Sequence, residues 1–171
     1  GDVLDVAVFD AMGHGLSSAV LGSLAVSAYR NSRRARQGTD VRSLLADIDA
    51  AIASYAGGNA FVTGLVAQLD ITMGRLRWAT AGHPEPLHVR RASTLAPIGP
   101  HPVLPLGLNS WIGDWDDLDI IETSLEPGDA LLLYTDGVVD ARNPEGEEFG
   151  EDRLRDLLER ESSSGRDPDE V

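Results

Sequence analysis

Two apolar runs, "AFVTGLVAQLD" and "GRLRWATAG", follow one another across the short turn "DITMG". Rich in β-branched and aromatic residues and bounded by Gly and Asp, they predict two paired strands. A parallel pair would need a crossover of a dozen or more residues, and the turn is far shorter, so the pairing has to be antiparallel. "HPEP" then turns the chain into "LHVRR", which extends the reading to a β-meander. Hairpin strands mixed with helices that do not alternate with them one for one predict an α+β layered architecture rather than a doubly wound parallel sheet.

The other elements follow from periodicity. Residues 3 to 10 read as a buried strand, and Val20, Leu24 and Ala28, with Leu21 and Ala25 beside them, predict a helix from Leu16 to about Arg36. A second helix is predicted from about Val41 to Tyr55, where Leu44, Leu45, Ile48 and Ile52 recur after the candidate caps Thr39 and Asp40, and "GGN" ends it. Ile98 to Asp119, rich in Pro, Gly and Asp, reads as a long surface connection. "DIIETSLEPGDALLLYTDGVVDA" then gives a strand, a Pro-Gly turn and a very apolar strand. "GEDRLRDLLERE" reads as a helix with Leu154, Leu157 and Leu158 on one face, ahead of a polar tail. A length of 171 residues suits one domain, spanning 1–171.

Charge narrows the partners. A formal net charge of −14 disfavours nucleic acid, whose phosphates need a basic footprint, and favours divalent cations. Arg30, Arg33, Arg34 and Arg36 are grouped in "YRNSRRARQ" and fit a solvated helix end or a phosphate- or partner-docking patch. The chain has no cysteine, so any metal must sit on oxygen or imidazole, in agreement with a reducing cytoplasm. No apolar run approaches the roughly 20 residues of a membrane span, and no signal peptide is visible; a cytoplasmic location is expected.

Two apolar strand patterns end in an aspartate beside glycine: "VAVFDAMG" at Asp10 and "ALLLYTDG" at Asp136. A carboxylate at the mouth of an apolar strand is poorly solvated unless paired or bound to a cation, and two such groups would repel without one. Mg²⁺ or Mn²⁺, hard ions that take carboxylate, carbonyl and water oxygens, resolve both costs. The same residues also fit a helix cap at Asp10 and an Asp-Gly turn at Asp136. His14 in "MGHG" fits a metal ligand, a proton donor or a group that satisfies the turn. His83 in "TAGHPEPL" either orients active-site groups or makes a tight turn before Pro84. "GHGLSSA" lacks the third glycine of a dinucleotide loop, and Ser17 and Ser18 lack a nucleophile-elbow context.

"VFDAMGHGLSSAVL", "FVTGLVAQLD", "RLRWATAGHPEPLHVR", "LPLGL" and "LEPGDALLLYTDGVVDARNPEGEEFGEDRL" occur in an order that resembles bacterial SpoIIE-type serine phosphatases, a branch of the PPM (protein phosphatase 2C) superfamily. The resemblance implies an αββα sandwich of two antiparallel sheets flanked by helices. It also implies two Mn²⁺ or Mg²⁺ ions, with Asp10 helping to bridge them and the Ala11 carbonyl and Asp136 as further ligands. Two such ions activate water for in-line attack on phosphoserine without a covalent intermediate. His14 has a counterpart in the eukaryotic branch assigned as a general acid, at a spacing that differs by two residues. Members usually carry an earlier strand with a metal-binding aspartate and a final strand with an Asp-Asp pair, so the chain is expected to be a core truncated at both ends. Asp2 and Asp5 fall inside the strand leading to Asp10, and Asp129 and Asp140 are not assigned the missing role.

The resemblance further implies a phosphorylated regulatory partner, an anti-sigma-factor antagonist of the STAS type, with fused PAS or GAF sensor domains. The first two helices are expected as a regulatory switch and homodimer contact. The rival readings are a catalytically incomplete phosphatase-like binding module and a small-molecule phosphoesterase.

Overall fold

The computed structural model describes residues 2–35, 38–95, 103–112 and 115–164. In chain order the elements are β1 (Val3–Ala11), α1 (Leu16–Ala35), α2 (Val41–Ala56), β2 (Val62–Asp70), β3 (Arg75–Ala81), β4 (Leu87–Arg90), β5 (Ser93–Thr94), α3 (Asn109–Ile112), a 3₁₀ turn at Trp115–Asp117, β6 (Ile121–Ser124), β7 (Ala130–Leu132), α4 (Asp136–Val139) and α5 (Glu151–Ser164). The chain forms two compact units, Gly1–His83 with Gly99–Ser124, and Pro84–Ile98 with Leu125–Val171. Each contains one antiparallel sheet, ordered β1-β2-β3-β6 in the first and β5-β4-β7 in the second. The α+β class with two antiparallel sheets and helices is therefore as expected.

In the first unit α2 buries Val41, Leu44, Leu45, Ile48 and Ile52, the spacing of one helix face. Full burial of such side chains is worth about 1.5–3 kcal/mol each, against about 1 kcal/mol for a cap. Packing therefore holds α2, and the caps fix where it begins and ends. Asp40 accepts from the Ser43 N–H at 3.0 Å, and Gly57, at φ 57°, donates to the Ala53 carbonyl at 3.0 Å. Helix α1 buries Leu21, Ala25, Tyr29 and Ser32, while Val20 is 39% exposed. The buried stripe runs through the expected Leu21 and Ala25 to Tyr29, which packs edge-on against Phe9 at 6.1 Å, and the expected Leu24 and Ala28 are partly buried against the same core.

Two expectations are corrected here. The β-meander stops after β3, since β4 pairs with β5 and β7 and not with β3. Gly82, at φ 64°, redirects the backbone, and Pro84 and Pro86 have no N–H to carry the ladder on. The segment after Ile98 is not simply a surface connection: residues 96–102 and 113–114 lie outside the described ones, but Leu106 is fully buried and exchanges two backbone hydrogen bonds with Val62, at 2.8 and 2.9 Å. Leu118 and Asn109 are buried as well.

The second unit packs Leu87, Tyr134 and Leu154 together, with Leu132, Val139, Phe149 and Leu158 against them. Leu157 flanks this face and is 42% exposed, so only two of the three expected α5 leucines serve the core. Strand β7 ends at Leu132, short of the expected apolar run.

Candidate metal centre

Asp10 and Ala11 close β1, both half-buried, with Asp10 opposite Thr63 and Ala11 opposite Val62 in the ladder with β2. The turn after them needs two left-handed residues, Gly13 at φ 83° and Gly15 at φ 84°. It is held by Met12 N–H donating to the Phe61 carbonyl at 3.1 Å and by Ser18 Oγ donating to the Met12 carbonyl at 2.9 Å. Ser18 is thus a turn-holding residue. Gly15 takes the N-cap position of α1, its carbonyl accepting from Ala19 N–H at 3.1 Å, while Asp10 lies in the strand. His14 is exposed on the turn.

Behind β1 stands a group of residues to which sequence reasoning gave no settled role. Thr63 Oγ1 lies 2.9 Å from His83 Nδ1 and donates over a long 3.5 Å to the Asp10 carbonyl. His83 is 6% exposed. Next to it, Gly82 donates to the Val103 carbonyl at 3.0 Å, and an added Cβ would stand 2.7 Å from Pro105 Cγ. The 105–110 segment is anchored in turn by Asp49 of α2. Fully buried, its carboxylate accepts from Gly107 N–H at 2.6 Å, from Asn109 N–H at 3.3 Å and from the Ser110 hydroxyl. A sequence signal for Asp49 existed, since it falls on the apolar face between Leu45 and Ile52.

In the second unit Asp136 opens α4, and its carbonyl accepts from Asp140 N–H at 2.8 Å. It is exposed, so the poorly solvated strand mouth expected for it is not what surrounds it: β7 has already ended, and Tyr134 has turned into the core. Asp140 is exposed too. Asp129 is committed elsewhere. Its carboxylate accepts from His88 Nε2 at 2.9 Å, from Arg90 Nη2 at 2.8 Å and from Glu126 N–H at 2.8 Å, and the Arg90 guanidinium, with these other donors, holds it far below the usual carboxylate range. Glu85 is shifted the other way, raised by burial and by repulsion from Glu151, with Arg155 opposing.

Asp10 and Ala11 thus present a carboxylate and a strand-end carbonyl together, oxygen donors that suit a hard divalent ion. Among the described residues no three His, Asp or Glu side chains gather closely enough to hold an ion by themselves. Mg²⁺ tolerates such a sparse set because it keeps several of its waters.

Two antiparallel sheets with accompanying helices match the fold of the PPM phosphatase class. It belongs to the Stage II sporulation protein E (SpoIIE) family, which it matches over residues 1–171. Phosphoserine phosphatase RsbP of Bacillus subtilis is 30% identical over 142 residues, 79% of this chain and 33% of that protein. The chain therefore spans about a third of the length of that relative. The solved RsbU and RsbW domains of Rv1364c from Mycobacterium tuberculosis superpose with a TM-score of 0.78 at 31% identity, over 96% of this chain and 44% of that one. The catalytic domain of serine threonine protein phosphatase PstP, solved in complex with 2 manganese ions, shares the fold alone, at 16% identity and a TM-score of 0.58 over 94% of this chain and 83% of that one. Among the described residues no helix is long and apolar enough to cross a membrane.

Proposed function

We propose that the chain is the catalytic core of a metal-dependent serine/threonine phosphatase that removes phosphate from a bacterial regulatory protein. The observation that carries this reading is Asp10 and Ala11 at the end of β1, set before the turn of Gly13 and Gly15, in a chain similar over most of its length to a phosphoserine phosphatase. Asp10, the Ala11 carbonyl and Asp136 are the proposed ligands of Mn²⁺ or Mg²⁺. Two bound ions would supply Lewis-acid stabilisation of the phosphoryl oxygens and an activated water. His14, exposed on the turn, is proposed to hand a proton to the departing serine oxygen, a role typically worth about 10²- to 10⁴-fold. No side-chain nucleophile is required, which agrees with Ser18 holding the turn. A STAS-type anti-sigma-factor antagonist is the proposed substrate class, in the cytoplasm.

The test is phosphate release from a phosphoserine protein with Mn²⁺ present, by this chain and by the full-length protein. Release is expected to stop with EDTA and to fall at least about 10²-fold in Asp10→Asn. Near-wild-type turnover by both Asp10→Asn and Asp136→Asn would refute the assignment. The sparse donor set among the described residues favours one alternative, a phosphatase-like module that binds a phosphoprotein without hydrolysing it. That reading wins if the full-length protein binds the phosphoprotein tightly and releases nothing.

A further inference from the structure

We infer that His83 and Thr63 act as a positioning pair for Asp10. Its catalytic consequence rests on the phosphatase reading above, whereas its structural half does not. Thr63 has a single hydroxyl proton and two neighbours that can take it, the Asp10 carbonyl at 3.5 Å and His83 Nδ1 at 2.9 Å. If His83 carries its proton on Nδ1, it donates to Thr63, and the hydroxyl proton is released toward the Asp10 carbonyl. Both contacts are then satisfied. The opposite tautomer draws the hydroxyl proton to the ring and leaves the Asp10 carbonyl facing a lone pair. Only the first arrangement lets the Thr63 hydroxyl add to the hydrogen bonding that the Asp10 carbonyl has in the ladder, so it is the one a positioning pair requires.

The backbone under both residues is fixed. Val62 is pinned by its two hydrogen bonds with Leu106, and Gly64 is packed so tightly that an added Cβ would stand 2.7 Å from Leu106 Cδ1. On the other side Gly82 is held against Pro105 and by Val103. Neither side chain can drift far from the place its strand gives it. What they hold is the peptide between Asp10 and Ala11: fixing the Asp10 carbonyl fixes the plane that joins the carboxylate-bearing residue to the next carbonyl, the two adjacent proposed ligands. A residue needed only to turn the chain before Pro84 would have no use for a ring nitrogen at hydrogen-bond distance from the strand opposite β1.

The first test needs no metal and no substrate. Long-range ¹H–¹⁵N NMR of the metal-free protein should find the proton of His83 on Nδ1; a bare Nδ1 that accepts from Thr63 overturns the inference. In Mn²⁺ titration by calorimetry, Thr63→Val and His83→Leu are each expected to weaken binding by about 10-fold, the size typical of groups that orient a metal ligand. The double variant should be no worse than either single one. Thr63→Ser, which keeps the hydroxyl, and His83→Asn, which keeps a donor near the Nδ1 position, should restore binding. kcat should fall with KM unchanged in the two impaired variants. Additive losses, or Mn²⁺ affinities within twofold of wild type in folded Thr63→Val, overturn the pairing. If the Nδ1–H tautomer and the Mn²⁺ effects appear while no variant, the wild type included, releases phosphate, the inference stands and the phosphatase reading falls.

Discussion

Replacing Asp129 with alanine puts the electrostatics of the second unit to a direct test. The Asp129 side chain is 3% exposed and gathers Arg90, His88 and the Glu126 N–H around it. Truncating it leaves a guanidinium and an imidazole without their shared acceptor, and breaking a fully buried pair in this way costs about 3–5 kcal/mol. Two features reduce that here: the Arg90 side chain is 24% exposed, and it keeps Glu126 as a partner at 3.1 Å. We therefore expect a loss of about 2–3 kcal/mol at pH 7, read from urea unfolding. The pH dependence has a fixed sign. The folded carboxyl titrates far below its unfolded value of about 3.9 because the Arg90 guanidinium and the other donors favour its charged form. Its contribution is fully present above that unfolded value and fades as pH drops toward the folded one. The difference between wild type and Asp129→Ala should therefore start to shrink below about pH 4 and go on shrinking to the lowest pH at which both still fold. A difference under about 1 kcal/mol at pH 7, or one that holds constant down to acid, would refute the account.

Three further outcomes are expected. Gly107→Ala places a Cβ 2.5 Å from Ile52 Cγ2 at φ 96° and should cost about 2–4 kcal/mol in thermal or urea unfolding, through overpacking and backbone strain together. Asp40→Ala removes the α2 cap made to Ser43 and should cost about 1 kcal/mol by the same measurement. Glu85→Gln should raise the melting temperature at pH 7, because burial and Glu151 push the Glu85 carboxyl up and its ionisation opposes folding; the gain should vanish below the unfolded Glu value of about 4.3, where both states are protonated.

The parts of the fold written in local chemistry were legible in the sequence. Asp40 and Gly57 bracket α2 where the cap and stop signals lie, and β2 and β3 pair across the expected turn. What failed was long-range. A turn signal such as "HPEP" says that a strand ends without saying which sheet the next one joins, so the sequence points β4 to its neighbour in the chain, β3. Leu106 looked like loop because its partner Val62 lies more than forty residues away, and nothing local marks that pairing. At the candidate site Asp10 and Ala11 stand out by their place between an apolar strand and a double-glycine turn. The link from Asp10 through Thr63 to His83 depends on ladder register and on the bend at Gly82, neither of which is a property of any short stretch. Asp136 was expected behind an apolar strand, but "ALLLYTDG" has strand character for only three residues, and Tyr134 then spends its ring on the core.

The carboxylate of Asp49 also bears on the order in which the first unit assembles. Helix α2 can form early from its own caps and periodicity, but it cannot dock its apolar face without carrying that carboxyl group out of water. Its donors Gly107, Asn109 and Ser110, among the described residues, arrive from 58 to 61 residues further along the chain. A state with α2 seated and the 105–110 segment still loose would bury a polar carboxyl group without these donors and is disfavoured. Docking of the helix and closure of that long loop are thereby made a single step, and since the same loop pairs with Val62, the strand carrying Thr63 is locked in the same event. Folding of this unit should accordingly be slow for its helical content and all-or-none, with the half-docked helix too costly to accumulate.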